Sequence, residues 1–154
     1  MKPFILIVSM MLSVTTYSQW EVGNYLDEFG EPTEKTFFHQ TVSGTFSNSE
    51  STNAKCTYFI EHNKKEKVLG ISIYPYDGNS MESFYEDTFQ DVKIKKPSGE
   101  LVTIEAFCFE GIIYFDYEEY VQLMDALKEK GEYQVSMKYK TDDTHSRYRF
   151  KFNN

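Results

Sequence analysis

The side chains with the most recognisable chemistry in this chain are two cysteines and three histidines. Cys56 and Cys108 could form a disulfide, while His39, His62 and His145 could act as general bases or metal ligands. No histidine has metal-ligand spacing from another, and neither cysteine belongs to a CxxC motif. The sequence therefore predicts no metal site and no redox or nucleophilic cysteine.

Motifs of the common enzyme families are absent from the sequence. It contains no GxSxG, no HExxH and no glycine-rich phosphate loop. His39 alternates with Thr41 and Ser43 and could orient a nucleophile, but a solvated histidine on a strand face is the simpler interpretation. The turn at 77–79 lacks the remaining ligands of a calcium loop. We therefore predict no catalytic residues and no cofactor.

The two cysteines alternate with apolar residues, which directs both thiols toward the core. Cys56 alternates with Tyr58, and Cys108 alternates with Ala106. Two buried cysteines can form a bridge or can pack as small hydrophobic side chains. The sequence leaves a disulfide between Cys56 and Cys108 and two free thiols equally open.

The segment from Tyr74 to Phe89 is the best candidate for a binding element. It holds five aromatic residues and four acids without a base, and it is longer than a hairpin connection requires. Aromatic loops on a rigid β scaffold often bind ligands or partners, although these rings could instead fold back over an open end of the domain. The binding hypothesis rests on four residues: Tyr74, Tyr76, Phe84 and Tyr85.

Short strands of period two account for most of the chain, and one segment has helical spacing. From Asp116 the apolar residues recur at helical spacing, which predicts a helix over about 117–130 that ends before Gly131. We expect an antiparallel β-sandwich or jelly roll of about eight strands, with this helix before the final hairpin. The candidate strands are 20–26, 37–46, 56–61, 68–74, 89–96, 101–109, 112–115, 133–140 and 147–152.

The chain is acidic overall, but its last hairpin is basic. The net charge of −8 disfavours binding to nucleic acid or to an anionic membrane and would attract a basic partner. Alternation places five bases on the outward face of the last hairpin, where they could meet an acidic partner or a glycan, or keep the strands soluble and unpaired. These bases are Lys138, Lys140, Arg147, Arg149 and Lys151.

The first residues have the pattern of an export signal. Lys2 provides a positive charge, 4–12 form an apolar run, and small residues precede a cleavage point near Ser18. The apolar run is too short to span a bilayer. We expect a signal peptide at 1–18, a single domain at 19–154, and a periplasmic or secreted location.

Two motifs resemble other exported proteins. The WEVxxYxDxFGEPT pattern at 20–33 and the GTFSNS run at 44–49 are similar to the opening of a group of small, uncharacterised exported bacterial proteins. The C-terminal layout, with LKEKG at 127–131 and YRF at 148–150, is more distantly similar to the type VI secretion-associated and invasion-associated locus B β proteins. The resemblance implies an exported β-sandwich without a catalytic motif.

The sequence thus favours a binding or interaction module of the cell envelope, with a protein or a glycan as its partner. An acidic inhibitor or immunity protein against a basic hydrolase is the first alternative, because charge complementarity would favour such a complex. A hydrolase with an unrecognised site is the second. The sequence predicts no nucleic-acid partner and no membrane span, and it says nothing about oligomeric state.

Overall fold

A computed structural model of the chain describes residues 20–75, 87–109, 111–140 and 145–154. These residues form nine strands and one helix, α1 (Tyr117–Ala126), which lies between the seventh and eighth strands. The strands are β1 (Glu21–Leu26), β2 (Pro32–Ser47), β3 (Ala54–Asn63), β4 (Val68–Pro75), β5 (Thr88–Lys95), β6 (Leu101–Phe109), β7 (Ile112–Asp116), β8 (Glu132–Lys140) and β9 (His145–Asn153).

Eight of these described strands form a closed antiparallel barrel in the order β2-β3-β4-β7-β6-β5-β8-β9, and β9 pairs back to β2. β1 pairs with the first half of β2 and lies outside the ring. The prediction of a mainly β fold with a helix before the final hairpin is confirmed. The predicted sandwich or jelly roll is corrected to a barrel. β2 is 16 residues long: its first half pairs with β1, and its last four residues, Gly44–Ser47, pair with β9 and close the ring.

The start of β2 also differs from the expectation. The strand begins at Pro32 instead of Phe37, so the acidic connection after β1 is a tight turn. The Asp27 carboxylate accepts hydrogen bonds from the backbone N–H groups of Phe29 and Glu31, both at 2.9 Å. An aspartate that bonds to the backbone ahead of it is a common turn device. The sequence pattern missed the strand because its first residues are mostly polar and exposed.

Large side chains fill the barrel interior. Tyr58, Tyr133, Tyr148, Phe46 and Phe115 are all fully buried, and each lies on a strand whose alternate residues face inward. Such burial contributes about 1.5–3 kcal/mol for each apolar side chain of this size. Many of the aromatic residues of the sequence therefore pack in the core.

α1 packs against β4, β6 and β7 and ends earlier than the spacing predicted. Tyr120, Leu123 and Ala126 are its buried residues. The carbonyl groups beyond the helix bond to distant partners: the Asn154 side-chain amide donates to the Leu127 carbonyl at 2.5 Å. The apolar pattern continues to Leu127 because that residue still packs in the core, although the helix has ended.

The predicted signal segment at 1–18 lies outside the described residues. The described chain starts at Trp20, whose indole Nε1 donates to the Asn154 side-chain oxygen at 3.2 Å. No helix within the described ranges has the length and hydrophobicity needed to cross a membrane.

Candidate functional site

The cavity that the described residues leave beneath the helix is too small for a ligand. A cavity of about 20 Å³ lies between the helix and the strands, and apolar and aromatic side chains line it. This is space for about one water molecule. In the described part of the chain, the surfaces that could bind a partner are therefore on the outside of the barrel.

Cys56 and Cys108 are both buried and unpaired, so the disulfide that the sequence left open is absent. β4 and β7 lie between the strands of the two cysteines, and the register places Cys108 level with Ile113, Ile71 and Ile60. Cys56 is four residues from Ile60 on β3, a distance of roughly 13 Å along the strand. A disulfide requires Cα atoms about 4.4–6.8 Å apart.

Both thiols are instead part of the core. Burial raises the pKa of Cys56, and it raises the pKa of Cys108 to about 12. The Cys108 sulfur lies 3.6 Å from the sulfur of Met137. These are the surroundings of inert structural cysteines, which behave as small hydrophobic side chains.

The three histidines lie in different environments, and His39 and His62, on neighbouring strands, face opposite sides of the sheet. His39 faces outward on β2, where its Nε2 is 4.0 Å from a Glu21 carboxylate oxygen. His62 is buried, and burial together with the nearby Lys64 lowers its pKa to about 4. His145 is exposed at the start of β9. The described residues include no group of three or more histidines, cysteines and acids that could hold a metal ion, and the prediction of a protein without catalysis stays a prediction.

The aromatic segment that the sequence singled out is described only at its ends. Tyr74 is 56% exposed at the end of β4, and Phe89 is 58% exposed on β5. The Phe89 and Phe107 rings are in contact, with centroids 5.2 Å apart. Tyr76, Phe84 and Tyr85 lie outside the described residues, so the choice between a binding loop and a covering loop stays open.

An outward row of polar and aromatic side chains crosses β2, β3, β4 and β7, and the sequence analysis did not single it out. The strand register aligns His39, Glu61, Gly70 and Tyr114 in this order. Gly70 places no side chain between Glu61 and Tyr114; a Cβ there would meet only Glu61 and Ile112, at 3.8 and 3.7 Å. We call this set the Gly70 row.

The Gly70 row has one carboxylate, that of Glu61, and two further acids, Glu66 and Asp116, act on its Tyr114. Burial raises the pKa of Glu61, against the opposing effect of His39. Burial also raises the pKa of Tyr114, and the negative charges of Asp116, Glu66 and Glu61 raise it further. A carboxylate beside a partly exposed ring suits a cationic group, which gains from both the charge and the ring face.

The opposite outward face is basic. An open cavity of about 630 Å³ lies on the outer side of β2, β5, β8 and β9, and a second of about 640 Å³ adjoins it, with Arg149 lining both. Neither cavity has an aspartate or glutamate among its described lining residues. We call the pair the cationic groove; its bases are Lys93, Lys95, Lys138, Lys140, Arg147, Arg149 and Lys151.

The strand register explains how the groove forms. Arg149 pairs with Thr45 on β2 and with Ser136 on β8, and Ser136 pairs in turn with Lys93 on β5. Outward residues from four strands therefore lie side by side, although β2 and β9 are distant in sequence. The prediction of an outward basic face on the last hairpin is confirmed, because all five of its predicted bases are exposed.

Two further bases of the groove, Lys93 and Lys95, were not predicted from the sequence. Lys93 and Lys95 alternate with the buried Val92 and Ile94 on β5, so their outward direction was readable from the pattern. Their position beside β8 was not readable, because pairing between β5 and β8 joins elements separated by β6, β7 and the helix.

No protein-family model, curated protein or solved structure matches this chain. The chain's own residues form two outward surfaces that could bind a partner. One surface is acidic and aromatic around Gly70, and the other is the cationic groove.

Proposed function

We propose that the chain is an exported interaction module of the cell envelope that binds an anionic partner through the cationic groove. The observation that carries this proposal is the groove itself: seven bases and no described acid line it, in a chain whose net charge is −8. In a protein with an excess of acids, such segregation leaves the groove as the main site for a negative partner.

The packed interior supports the same proposal. The cavity between α1 and the strands, as the described residues line it, holds about one water molecule, which is too little space for a ligand of ordinary size. Hydroxyl and amide side chains lie between the bases of the groove, among them Ser136, Gln134 and Asn48. They would donate and accept hydrogen bonds alongside the charges.

Most of the bases are available to a partner. Lys151 is bonded to Glu132 at 2.9 Å, whereas neither Arg147 nor Arg149 forms an ion pair with any described residue. Arginine binds carboxylate and phosphate groups through two parallel hydrogen bonds, so these two residues are the expected centre of recognition.

Export is tested with the full chain produced with a C-terminal tag. We expect the protein in the periplasm or the medium, with Gln19 as its first residue after cleavage near Ser18. A full-length protein in the cytoplasm would overturn the envelope assignment.

Binding is tested by co-sedimentation of the purified protein with envelopes of the producing cells. The double variant Arg147→Ser/Arg149→Ser should lose this association, whereas Lys65→Ser/Lys130→Ser should keep it. Both doubles remove two exposed positive charges, but only the first lies in the groove. Association that is the same in all three proteins would overturn the proposal.

The Gly70 row supports a second candidate function, an inhibitor of a basic hydrolase. The Glu61 carboxylate and the Tyr114 ring, with Glu66 and Asp116 nearby, could hold a lysine or arginine side chain of such an enzyme. The test is inhibition of a basic, lysozyme-type glycosidase by the wild type and by Gly70→Leu, which adds a side chain between Glu61 and Tyr114. Equal activity of the glycosidase with and without the wild type would remove this candidate for that class of enzyme.

A further inference from the structure

We infer that the cationic groove recognises an anionic polysaccharide, in extended form, in preference to an acidic protein or a single-stranded nucleic acid. The inference rests on the proposed function and specifies its partner. It follows from the length of the groove, the spacing of its charges, and the chemistry of the side chains between them.

The groove is long enough for several sugar units. It runs from Leu101 and Lys95 at one end, past Arg149, to His145 and Asn48 at the other. The two adjoining cavities measure about 630 and 640 Å³, and each is open to solvent along its side. A linear polymer can therefore lie along the groove without entering the protein.

The bases are spaced regularly because strands set their positions. Arg147, Arg149 and Lys151 are alternate residues of β9, so neighbours are about 7 Å apart along the strand. Lys138 of β8 pairs with Arg147 of β9, across a strand spacing of about 4.8 Å. The pattern is a lattice of positive charge, which suits a polymer with regularly repeated anions better than a single small anion.

The polar residues of the groove favour a sugar over a protein. Ser43, Thr45, Ser136, Gln134 and Asn53 contribute hydroxyl and amide groups between the bases. Protein interfaces usually have an apolar centre with aromatic anchors. In the described lining, the one exposed large apolar residue is Leu101, at the end of the groove. A polyhydroxylated chain would match this lining throughout.

The same lining disfavours single-stranded nucleic acid. Proteins that bind it supply exposed aromatic rings on which bases stack. The aromatic residues of the described lining are Tyr139 and Phe150, and both are buried. The exposed rings Phe89 and Phe109 lie on β5 and β6 but do not line the groove.

The anion of the polymer can be a carboxylate, a sulfate or a phosphate ester, since guanidinium and ammonium groups bind all three. Calorimetric titrations of the purified protein with polygalacturonate, dextran sulfate and poly(glycerol phosphate) distinguish these sources. Neutral dextran is the control for the charge, because it is a polysaccharide without anions. Oligothymidylate is the control for the sugar, because it is an anionic polymer but not a polysaccharide.

We expect at least one of the three anionic polymers to bind about tenfold or more tightly than oligothymidylate, with no binding of neutral dextran. Affinity should fall as salt rises, because charges in an open groove are screened over about 8 Å at physiological ionic strength. Arg147→Ser/Arg149→Ser should weaken binding about tenfold or more, and Lys65→Ser/Lys130→Ser should leave it unchanged.

If the arginine double variant does not fold, Lys93→Ser/Lys138→Ser tests the same groove from two other strands. Three results would overturn the inference: no binding of any anionic polymer, equal binding of oligothymidylate, or full binding by a folded groove variant. Loss of envelope association in a groove variant, combined with no polymer binding, would leave the proposed function standing without this partner. Failure of both experiments would remove both.

Discussion

The hydroxyl of Tyr58 accepts a hydrogen bond from the backbone N–H of Arg149 at 3.2 Å, across the line where β2 and β9 close the barrel. It also donates to the Thr45 carbonyl at 2.8 Å. Tyr58 is fully buried, and burial raises its pKa far above the ordinary range, so the phenol stays protonated. A side chain from β3 thus links the closing strands, and the same closure positions Arg149 in the cationic groove.

Gly44 is the position where this closure leaves least space. A Cβ at Gly44 would lie 2.3 Å from the Arg149 carbonyl oxygen and 2.8 Å from the Cβ of Phe150. The Arg149 carbonyl oxygen belongs to the backbone of β9, which is hydrogen-bonded to β2, so it cannot move aside without moving the strand. We expect Gly44→Ala to lower the free energy of unfolding by about 3 kcal/mol or more, measured by urea unfolding.

Gly70→Ala is the matched control for Gly44→Ala, because both glycines lie within strands of the ring. A Cβ at Gly70 meets its nearest neighbours at 3.7 and 3.8 Å, which is ordinary van der Waals contact. We expect a change within about 0.5 kcal/mol. Equal losses in the two variants would contradict the crowding at the closure.

Much of the fold was readable from the sequence because strand alternation is a local property. The bases of the last hairpin were correctly placed outward, and the residues that alternate with them on β8, Val135, Met137 and Tyr139, are buried. Closure of the ring was not readable. It depends on contact between Gly44 and Phe150, residues far apart in the chain, and the same alternation would suit a sandwich.

The candidate site, like the fold, was predictable where it depends on strand alternation and unpredictable where it depends on strand order. The outward direction of Arg147 and Arg149 followed from alternation, but their place in a groove required β2 and β5 as neighbours. Gly70 gave no signal at all, because the pattern could not show that a glycine would stand between Glu61 and Tyr114. Local periodicity predicts which way a side chain points, while strand order decides what it meets.

The free cysteines give a direct solution prediction. We expect the same thermal unfolding midpoint with and without a reductant, and two thiols per chain when the protein is labelled in denaturant. Cys108→Ala should cost about 1–2 kcal/mol, because it removes the sulfur that packs against Met137. A disulfide across this long loop would stabilise by about 2–5 kcal/mol, so a large fall in the midpoint on reduction would contradict the structure.

Trp20 fastens the start of the described chain to its end. Its indole bonds to Asn154, and its ring meets the His62 ring edge to face, with centroids 4.9 Å apart. We expect Trp20→Ala to lower the free energy of unfolding by about 2–4 kcal/mol. Removal of residues 1–18 should leave that free energy unchanged, since the expected mature chain keeps Trp20.

Phe29→Ala serves as the aromatic control for Trp20→Ala. Phe29 is 81% exposed in the turn after β1, so its removal should change stability by less than about 0.5 kcal/mol. Guanidinium unfolding is measured for the wild type, Trp20→Ala, Phe29→Ala and the chain without residues 1–18. A full-length chain that is markedly more stable than the shortened one would show that 1–18 contribute to the fold.

His62 should make stability depend on pH in a defined direction. Burial and Lys64 lower its folded pKa to about 4, from an ordinary value of 6.5, so the unfolded chain takes up the proton first as the pH falls. Proton uptake by the unfolded state lowers stability between these two values. The loss in the free energy of unfolding reaches roughly 3 kcal/mol, and it is complete only below about pH 4.

His62→Phe removes this titration and keeps an aromatic ring beside Trp20 and Phe38, the two rings that the imidazole contacts. We expect the wild type to lose stability relative to His62→Phe when urea unfolding is repeated at about pH 4.5 instead of about pH 7.5. The difference should reach about 2 kcal/mol. Glu61 and the other acids titrate in both proteins, so their contributions cancel in the comparison. His145→Phe, a change at an exposed histidine, should follow the wild-type pH dependence; if it instead matched His62→Phe, burial of the His62 ring would not be the cause.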